Sequence, residues 1–355
     1  MSRIHNFSAG PGVLPESVVQ ECQEALWDFR GTGIGLMEMS HRSKPYEAVI
    51  ASAAQRLARL LGVQDTHDVL FLSGGASTQF FMAPMNLLRG GRATYLDTGV
   101  WSAKAIKEAQ RFGDIDVPFR STERVPDQGE WGDLPEGTIY LHYTSNNTVV
   151  GSEYPYVPQA TAPLVVDASS NILSRPWNGA AHAMIYAGAQ KNLGPAGVTV
   201  VVIRKDLLET CDPNLPSMLK YGTHAGQDSM YNTPPTFPIF VVERVCAWIE
   251  DLGGLATIGA RNDAQARRIY DVVDGSGFFR GKVARSSRSR MNITFTTGDD
   301  ALDTRFHKEA ETEGLSGLKG HRSVGGLRAS VYNACPDTAV DALVSYMKAF
   351  EAKHG

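Results

Sequence analysis

The chain has 355 residues, 43% of them hydrophobic and 20% charged, with a formal net charge of -4. That length suits one large domain and a smaller one, and the charge argues against general nucleic-acid binding, so any anion site must be a local cluster. The four cysteines, Cys22, Cys211, Cys246 and Cys335, form no CxxC pair, and no run approaches the roughly 18 apolar residues of a membrane helix, so neither metal, disulfide nor membrane span is expected. No charged-then-apolar leader pattern opens the chain, and a cytoplasmic protein is the expectation.

Residues 1–14, MSRIHNFSAGPGVL, hold Gly10, Pro11 and Gly12 in succession, which predicts an ordered, irregular arm. A helix is predicted from Glu16, with Val18, Val19, Cys22, Leu26 and Phe29 on one face and Gly31 at its end. Glycines 31, 33 and 35 do not match GxGxxG and follow a helix, so they predict a flexible loop and no dinucleotide site. The loop leads to Ser40, His41, Arg42 and Ser43. Pro45 then opens a helix carrying Val49, Ile50, Leu57, Leu60 and Leu61 as far as Gly62.

From Asp68 the pattern changes to short apolar runs alternating with helical stretches, which predicts an α/β domain with a mostly parallel seven-stranded sheet and helices on both faces. The runs are 69–73, 93–97, 115–118, 138–143, 164–167, 182–187 and 198–203. In such sheets ligands gather at the carboxyl ends of the strands, which here read SGGAST (73–78), DTGVW (97–101), YTSNNT (143–148), DASS (167–170) and QK (190–191). Helices around 237–252 and 255–274 close this part. A strand at 292–296, a helix at 301–313, a strand at 327–332 and a helix at 338–353 predict a small C-terminal αβ domain. The expected division is 15–254 for the large domain, with 1–14 and 255–355 forming the small one.

Lys191 stands out against this pattern. It is hemmed in by Ala187, Gly188, Ala189 and Leu193, directly after a strand and before a Gly/Pro-rich turn. Such a lysine either snorkels to solvent or has a chemical task, and the task that suits it is imine formation by a desolvated amine. Asp167 ends the apolar run PLVVD, as a helix cap or as a carboxylate in a dry crevice. Trp101 offers a half-buried core side chain or a stacking face for a heteroaromatic ring, and GGAST places free amides at a helix start, as a phosphate needs. A lysine, a carboxylate, a stacking face and a phosphate cup together match the needs of pyridoxal 5'-phosphate.

Five stretches, NFSAGPG at the start, MEMSHRSK (37–44), AGAQKNLGPAG (187–197), YNTPPTF (231–237) and KGHRSVGGLRASVYNACP (319–336), resemble in order the phosphoserine aminotransferase family, class-V members of the fold-type I pyridoxal-phosphate transferases. The resemblance runs from residue 6 almost to the end. It implies that Lys191 is the Schiff-base lysine, Asp167 the partner of the pyridine nitrogen, Trp101 the stacking residue and Thr148 a hydrogen-bond donor to the ring hydroxyl. Ala76, Ser77 and Gln190 would hold the cofactor phosphate, joined by Asn232 and Thr233 from the other subunit of a homodimer. Arg328 would grip the substrate α-carboxylate. His41, Arg42, His321 and Arg322 would bind the substrate phosphate or the distal carboxylate of glutamate.

The implied reaction passes the amino group of L-glutamate to 3-phosphohydroxypyruvate, with the phosphorylated four-carbon keto acid of pyridoxine synthesis as a further acceptor. Two departures stand against the family pattern: Ser77 where some members carry arginine, and Gly12 where alanine is commoner. A cysteine desulfurase of the same fold is the nearest alternative, because Cys335 lies beyond the lysine, although it sits between a predicted strand and helix. A non-catalytic phosphate-ligand binding protein is the alternative from another class, and an intact Lys191 argues against it.

Overall fold

The computed structural model describes residues 3–355; Met1 and Ser2, part of the expected arm, lie outside the described residues. Two helices, α1 (Glu16–Trp27) and α2 (Lys44–Leu61), precede the sheet. Its strands are β1 (His67–Ser73), β2 (Arg92–Asp97), β3 (Asp114–Arg120), β4 (Thr138–Thr144), β5 (Leu164–Asp167), β6 (Met184–Gly188) and β7 (Val198–Arg204). They lie in the order β1-β7-β6-β5-β4-β2-β3, and β7 alone runs against both its neighbours. The carboxyl ends of β1, β2, β4, β5 and β6 therefore open on one edge.

Alternation along the strands divides the apolar side chains between two faces. Phe71, Leu96, Leu141, Val166, Ile185 and Val200 join one core with α1, α2 and α5 (Thr236–Asp251), which follows the sheet. Leu70, Tyr95, Tyr140, Val165, Met184 and Val201 face the other way, onto α3 (Gln79–Leu87) and α4 (Val100–Ala109). Ion pairs reinforce the first layer: Arg56 on α2 meets Glu243 on α5 at 3.0 Å, and Arg59 meets Glu250 at 2.5 Å.

The C-terminal part has its own core. Helix α6 (Gly254–Gly275), strand β8 (Asn292–Thr296), helix α7 (Asp300–Thr312), strand β9 (Leu327–Ser330) and helix α8 (Asp337–His354) surround Phe279, Phe295, Phe306 and Met347. Helix α6 serves two cores, because Leu255 and Ile258 pack with the sheet while Ile269 and Val273 pack here. The N-terminal arm returns to the same region. His5 and Asn6 pair in parallel with Leu315 and Ser316, and Phe7 is buried in the small core.

Some expectations shift. Helix α1 ends at Trp27, so Phe29 is buried from the following loop, and Leu26 is 43% exposed instead of lying on the packed face. Strand β9 stops at Ser330, two residues early; the Val331 amide still donates to the Met291 carbonyl, and the Tyr332 hydroxyl reaches the Ala9 carbonyl of the arm. Among the described residues no helix is long and apolar enough to cross a membrane, and no group of three or more His, Cys, Asp or Glu could hold a metal ion.

Candidate active site

Lys191 sits in the turn between β6 and β7. The amides of Leu193 and Gly194 both donate to the carbonyl of Ala189, at 3.1 and 2.8 Å, and this closes the turn over the sheet edge. The amine donates to Thr148 Oγ1 at 2.7 Å and lies 5.4 Å from the centre of the Trp101 ring system. Burial pushes it down to about 8; the nearby Asp167 carboxylate opposes this shift and the Arg328 guanidinium adds to it. An appreciable fraction of uncharged, nucleophilic amine is therefore present near neutral pH.

Asp167, at the end of β5, is 5% exposed. Its Oδ1 accepts from the Ser169 amide at 3.0 Å and from the Ser169 hydroxyl at 2.6 Å. Burial holds this carboxyl above its ordinary range, against the opposing influence of Lys191 and of the two Ser169 hydrogen bonds. A dry carboxylate of this kind calls for a cation beside it. Ser169 Oγ also accepts from the Gly188 amide at 3.1 Å, so one serine ties the carboxylate to the end of the neighbouring strand.

Trp101 lies in the first turn of α4, where β2 delivers it, and its indole nitrogen is buried with no hydrogen-bond partner. At the end of β1, Ala76–Thr78 form a turn of 3₁₀ helix leading into α3. The first amides of a helix have no acceptor inside it, so those of Ala76 and Ser77 are available to an anion. A Cβ built on Gly188 would lie 2.7 Å from Gln190 Oε1 and 3.3 Å from the Ala76 nitrogen. The missing side chain thus leaves a cradle onto which both groups face.

Arg328 reaches the same space from β9. Its Nη1 donates to the carbonyl of Thr148 at 3.0 Å, its Nε is buried without a partner, and burial lowers its basicity. His321 and Arg322 lie on the loop that precedes this strand. His321 is held below its usual value by burial, with Arg328, Arg322 and Lys104 adding to the effect.

The single chain gathers Lys191, Asp167, Thr148, Trp101, Gln190, Ala76 and Arg328, with Ser77 beside Ala76. His41 and Arg42 lie on the loop before α2; His41 Nε2 is buried and unpartnered, and Arg42 is exposed. Among the described residues no hydrogen bond or ion pair joins either to Lys191, Asp167 or Arg328. Asn232 and Thr233 occupy the loop before α5, where Asn232 Nδ2 donates to the Thr233 carbonyl at 3.1 Å and neither residue bonds to Ala76, Ser77 or Gln190.

Two residues of the site had no assigned role in the sequence. Ser169 is one; a serine after a strand-ending aspartate reads as an ordinary cap. The other is Tyr332, whose hydroxyl donates to the Ala9 carbonyl at 2.7 Å and accepts from Asn292 Nδ2 at 3.2 Å. Its ring supports the arm beneath the lysine. A Cβ at Gly12 would come within 2.7 Å of both the Lys191 carbonyl and the Tyr332 ring, so the alanine commoner at this position needs a wider gap than this chain leaves.

The model of the class-V aminotransferase family matches residues 4–343. The chain is 49% identical over 361 residues to phosphoserine aminotransferase of Geobacillus kaustophilus, with 99% of each covered, and 47% identical over 370 residues to that of Nitrosomonas europaea, with 100% of each covered. The chain belongs to the phosphoserine aminotransferase family. Its fold is that of the solved phosphoserine aminotransferase of Bacillus circulans subsp. alkalophilus, with a TM-score of 0.97 at 47% identity and 99% of each chain covered. A phosphoserine aminotransferase from Trichomonas vaginalis solved with bound pyridoxal phosphate is 38% identical, with a TM-score of 0.93 over 98% of this chain and 100% of its own.

The residues present fit that cofactor. Asp167 Oδ2 is left for a protonated ring nitrogen by the two bonds to Oδ1, the Gly188 cradle suits a phosphate, and Lys191 is within reach of Thr148 and Trp101. The desulfurase alternative lacks its nucleophile. Cys335 is fully buried and its thiol is pushed up to about 12, chiefly by burial, so it rests protonated and inaccessible.

Proposed function

We propose that this phosphoserine aminotransferase transfers the amino group of L-glutamate reversibly to 3-phosphohydroxypyruvate, giving O-phospho-L-serine and 2-oxoglutarate for serine biosynthesis, with pyridoxal 5'-phosphate as cofactor. The observation that carries the reading is the buried Lys191 amine, lowered to about 8 and set among Asp167, Thr148 and Trp101. Bound pyridoxal phosphate supplies a carbonyl for the amine and a ring that withdraws electrons from the substrate Cα.

The chain's own side chains then divide the work. Asp167, fixed by Ser169, would hold a proton on the ring nitrogen of the bound cofactor by a charge-assisted bond. Trp101 would provide the flat face that orients the ring, and the Thr148 hydroxyl, now paired with Lys191, would hydrogen-bond the ring oxygen. The Lys191 amine, set beside Thr148 and Trp101, would carry the proton between the substrate Cα and the carbonyl carbon of the bound cofactor. Ala76, Ser77 and Gln190 hold the cofactor phosphate.

Arg328 binds the α-carboxylate that glutamate and phosphoserine share. Its unpartnered Nε and lack of a carboxylate mate among the described residues support that role. His41, Arg42, His321 and Arg322 receive the distal group, and a phosphate of about -1.5 to -2 charge draws more from two arginines than a single carboxylate does. A cytoplasmic homodimer completes the reading, with Asn232 and Thr233 reaching the phosphate cup of the neighbouring subunit. Their distance from bonding to the cup in one chain supports it, as do exposed Tyr231, Trp27 and Met37, at 46%, 89% and 66%. The proposed domains are 15–254 and 1–14 with 255–355.

A coupled assay of 2-oxoglutarate released from glutamate tests this, with 3-phosphohydroxypyruvate and the phosphorylated four-carbon keto acid as alternative acceptors. Turnover with 3-phosphohydroxypyruvate is the expected result. Cofactor-loaded protein that turns over neither acid contradicts the reading.

A further inference from the structure

Lys282 follows the short edge strand Arg280–Gly281 of the small sheet and has no carboxylate partner among the described residues. Its ammonium instead donates to two consecutive carbonyls, those of Val324 at 2.5 Å and Gly325 at 3.2 Å. Both belong to the loop that carries His321 and Arg322. That loop closes on itself: Gly320 donates to the Gly326 carbonyl at 2.9 Å, while the amides of Val324 and Gly325 donate to the His321 carbonyl at 3.0 and 2.9 Å. Its far end runs into β9 and Arg328. The loop, Lys282 and Arg328 line a cavity of about 540 Å³ together with Val149 and Val150, next in sequence to Thr148.

We infer that Lys282 is a positioning residue for phosphate recognition: by holding the Val324 and Gly325 carbonyls it fixes the loop that presents His321 and Arg322. The inference rests on the substrate-binding role proposed above for that pair. Leu318 and Leu327 pin the two ends of the loop in the small core, while between them the backbone bonds are internal, and the ammonium ties the Val324–Gly325 stretch to the segment after the edge strand. A charge-assisted bond is about twice as strong as a neutral one, so its removal loosens the loop selectively.

The test compares holoenzyme carrying Lys282→Met or Lys282→Arg with wild type, reading steady-state kinetics and amide hydrogen exchange across 319–327. Lys282→Met is expected to speed exchange at Gly320 and Gly325, and to raise KM for 3-phosphohydroxypyruvate about tenfold, the effect of one lost charge-assisted bond. kcat at saturation should stay within about twofold and KM for glutamate should rise less. Lys282→Arg, which keeps the charge and donors, should restore most of both. Unchanged exchange in Lys282→Met overturns the clamp whatever the kinetics show. Faster exchange with an unchanged KM also overturns it, and Arg322→Ala identifies the cause. If Arg322→Ala raises that KM, the clamp alone has failed; if it does not, the role of the pair has failed as well.

Discussion

The Lys191 amine donates to the Thr148 hydroxyl at 2.7 Å, and the carbonyl of the same threonine accepts from Arg328 at 3.0 Å. One residue therefore spaces the reactive amine from the guanidinium proposed to hold the substrate carboxylate. Fixing that spacing is how a scaffold converts binding into reaction, because misplacement of either group by an ångström costs rate steeply.

Removing the amine should end both chemistry and covalent attachment. Lys191→Ala is expected to bind pyridoxal phosphate reversibly, through Asp167, Trp101 and the Gly188 cradle, and to show no transamination above background. Treatment with borohydride followed by intact mass measurement should find cofactor fixed to wild type and none to the variant. Cofactor fixed to the variant would place the link elsewhere.

The depressed Lys191 value makes a pH prediction whose sign follows from its causes. An amine is nucleophilic only when unprotonated, so labelling of cofactor-free protein by pyridoxal and borohydride should rise with pH and level off above about 8. Asp167 opposes the depression, so Asp167→Asn should move the midpoint lower still. Arg328 adds to it, so Arg328→Met should move the midpoint up. A wild-type profile still climbing at the ordinary lysine value would contradict the burial argument.

The arginines should separate by substrate. Arg328→Ala should weaken glutamate and 3-phosphohydroxypyruvate alike, since both present a carboxylate next to the reacting carbon. Arg42→Ala and Arg322→Ala should fall mainly on the phosphorylated substrate, by about 1.5–3 kcal/mol for a hydrogen bond to a charged group, or roughly 10- to 150-fold in KM. Glutamate and phosphorylated-substrate kinetics on each variant check this. Equal losses for both substrates in Arg322→Ala would remove its phosphate role.

Much of this architecture was legible before any coordinates. The seven strands were, because each is a short run rich in apolar residues bounded by turn signals; VTVVVI, buried along its length between two neighbours, is the plainest, while the edge strand DIDVPFR is only partly buried and alternates with charge. The lysine turn was legible because small residues crowd a charge there. Long-range contacts were not. The pairing of His5 and Asn6 with Leu315 and Ser316 has no local signature, and the exposure of Leu26 depends on where α1 stops packing. Tyr332 and Lys282 bond to partners far along the chain, and Ser169 couples its near neighbour Asp167 to Gly188 on the next strand, which spacing in sequence cannot reveal.

Sharing of active sites between subunits gives the sharpest test. Asn232 and Thr233 make no hydrogen bond to Ala76, Ser77 or Gln190 within one chain, and a two-fold dimer would make their contribution reciprocal. A chain carrying Lys191→Ala and a chain carrying Asn232→Ala with Thr233→Ala should then complement each other. In the mixed dimer one site collects both lesions, while the other draws its lysine from one chain and its Asn/Thr pair from the other and is intact. Random exchange from an equal mixture makes about half the dimers mixed, each with one good site, so activity should recover to about a quarter of wild type. The double variant must itself be nearly inactive, which the loss of two donors to a phosphate, about 1–3 kcal/mol each, makes reasonable. Unfolding, mixing and refolding with cofactor, with each variant refolded alone, supplies the measurement. Recovery no greater than the mean of the two controls, with mixed dimers demonstrated by mass, would show that each chain builds its site alone.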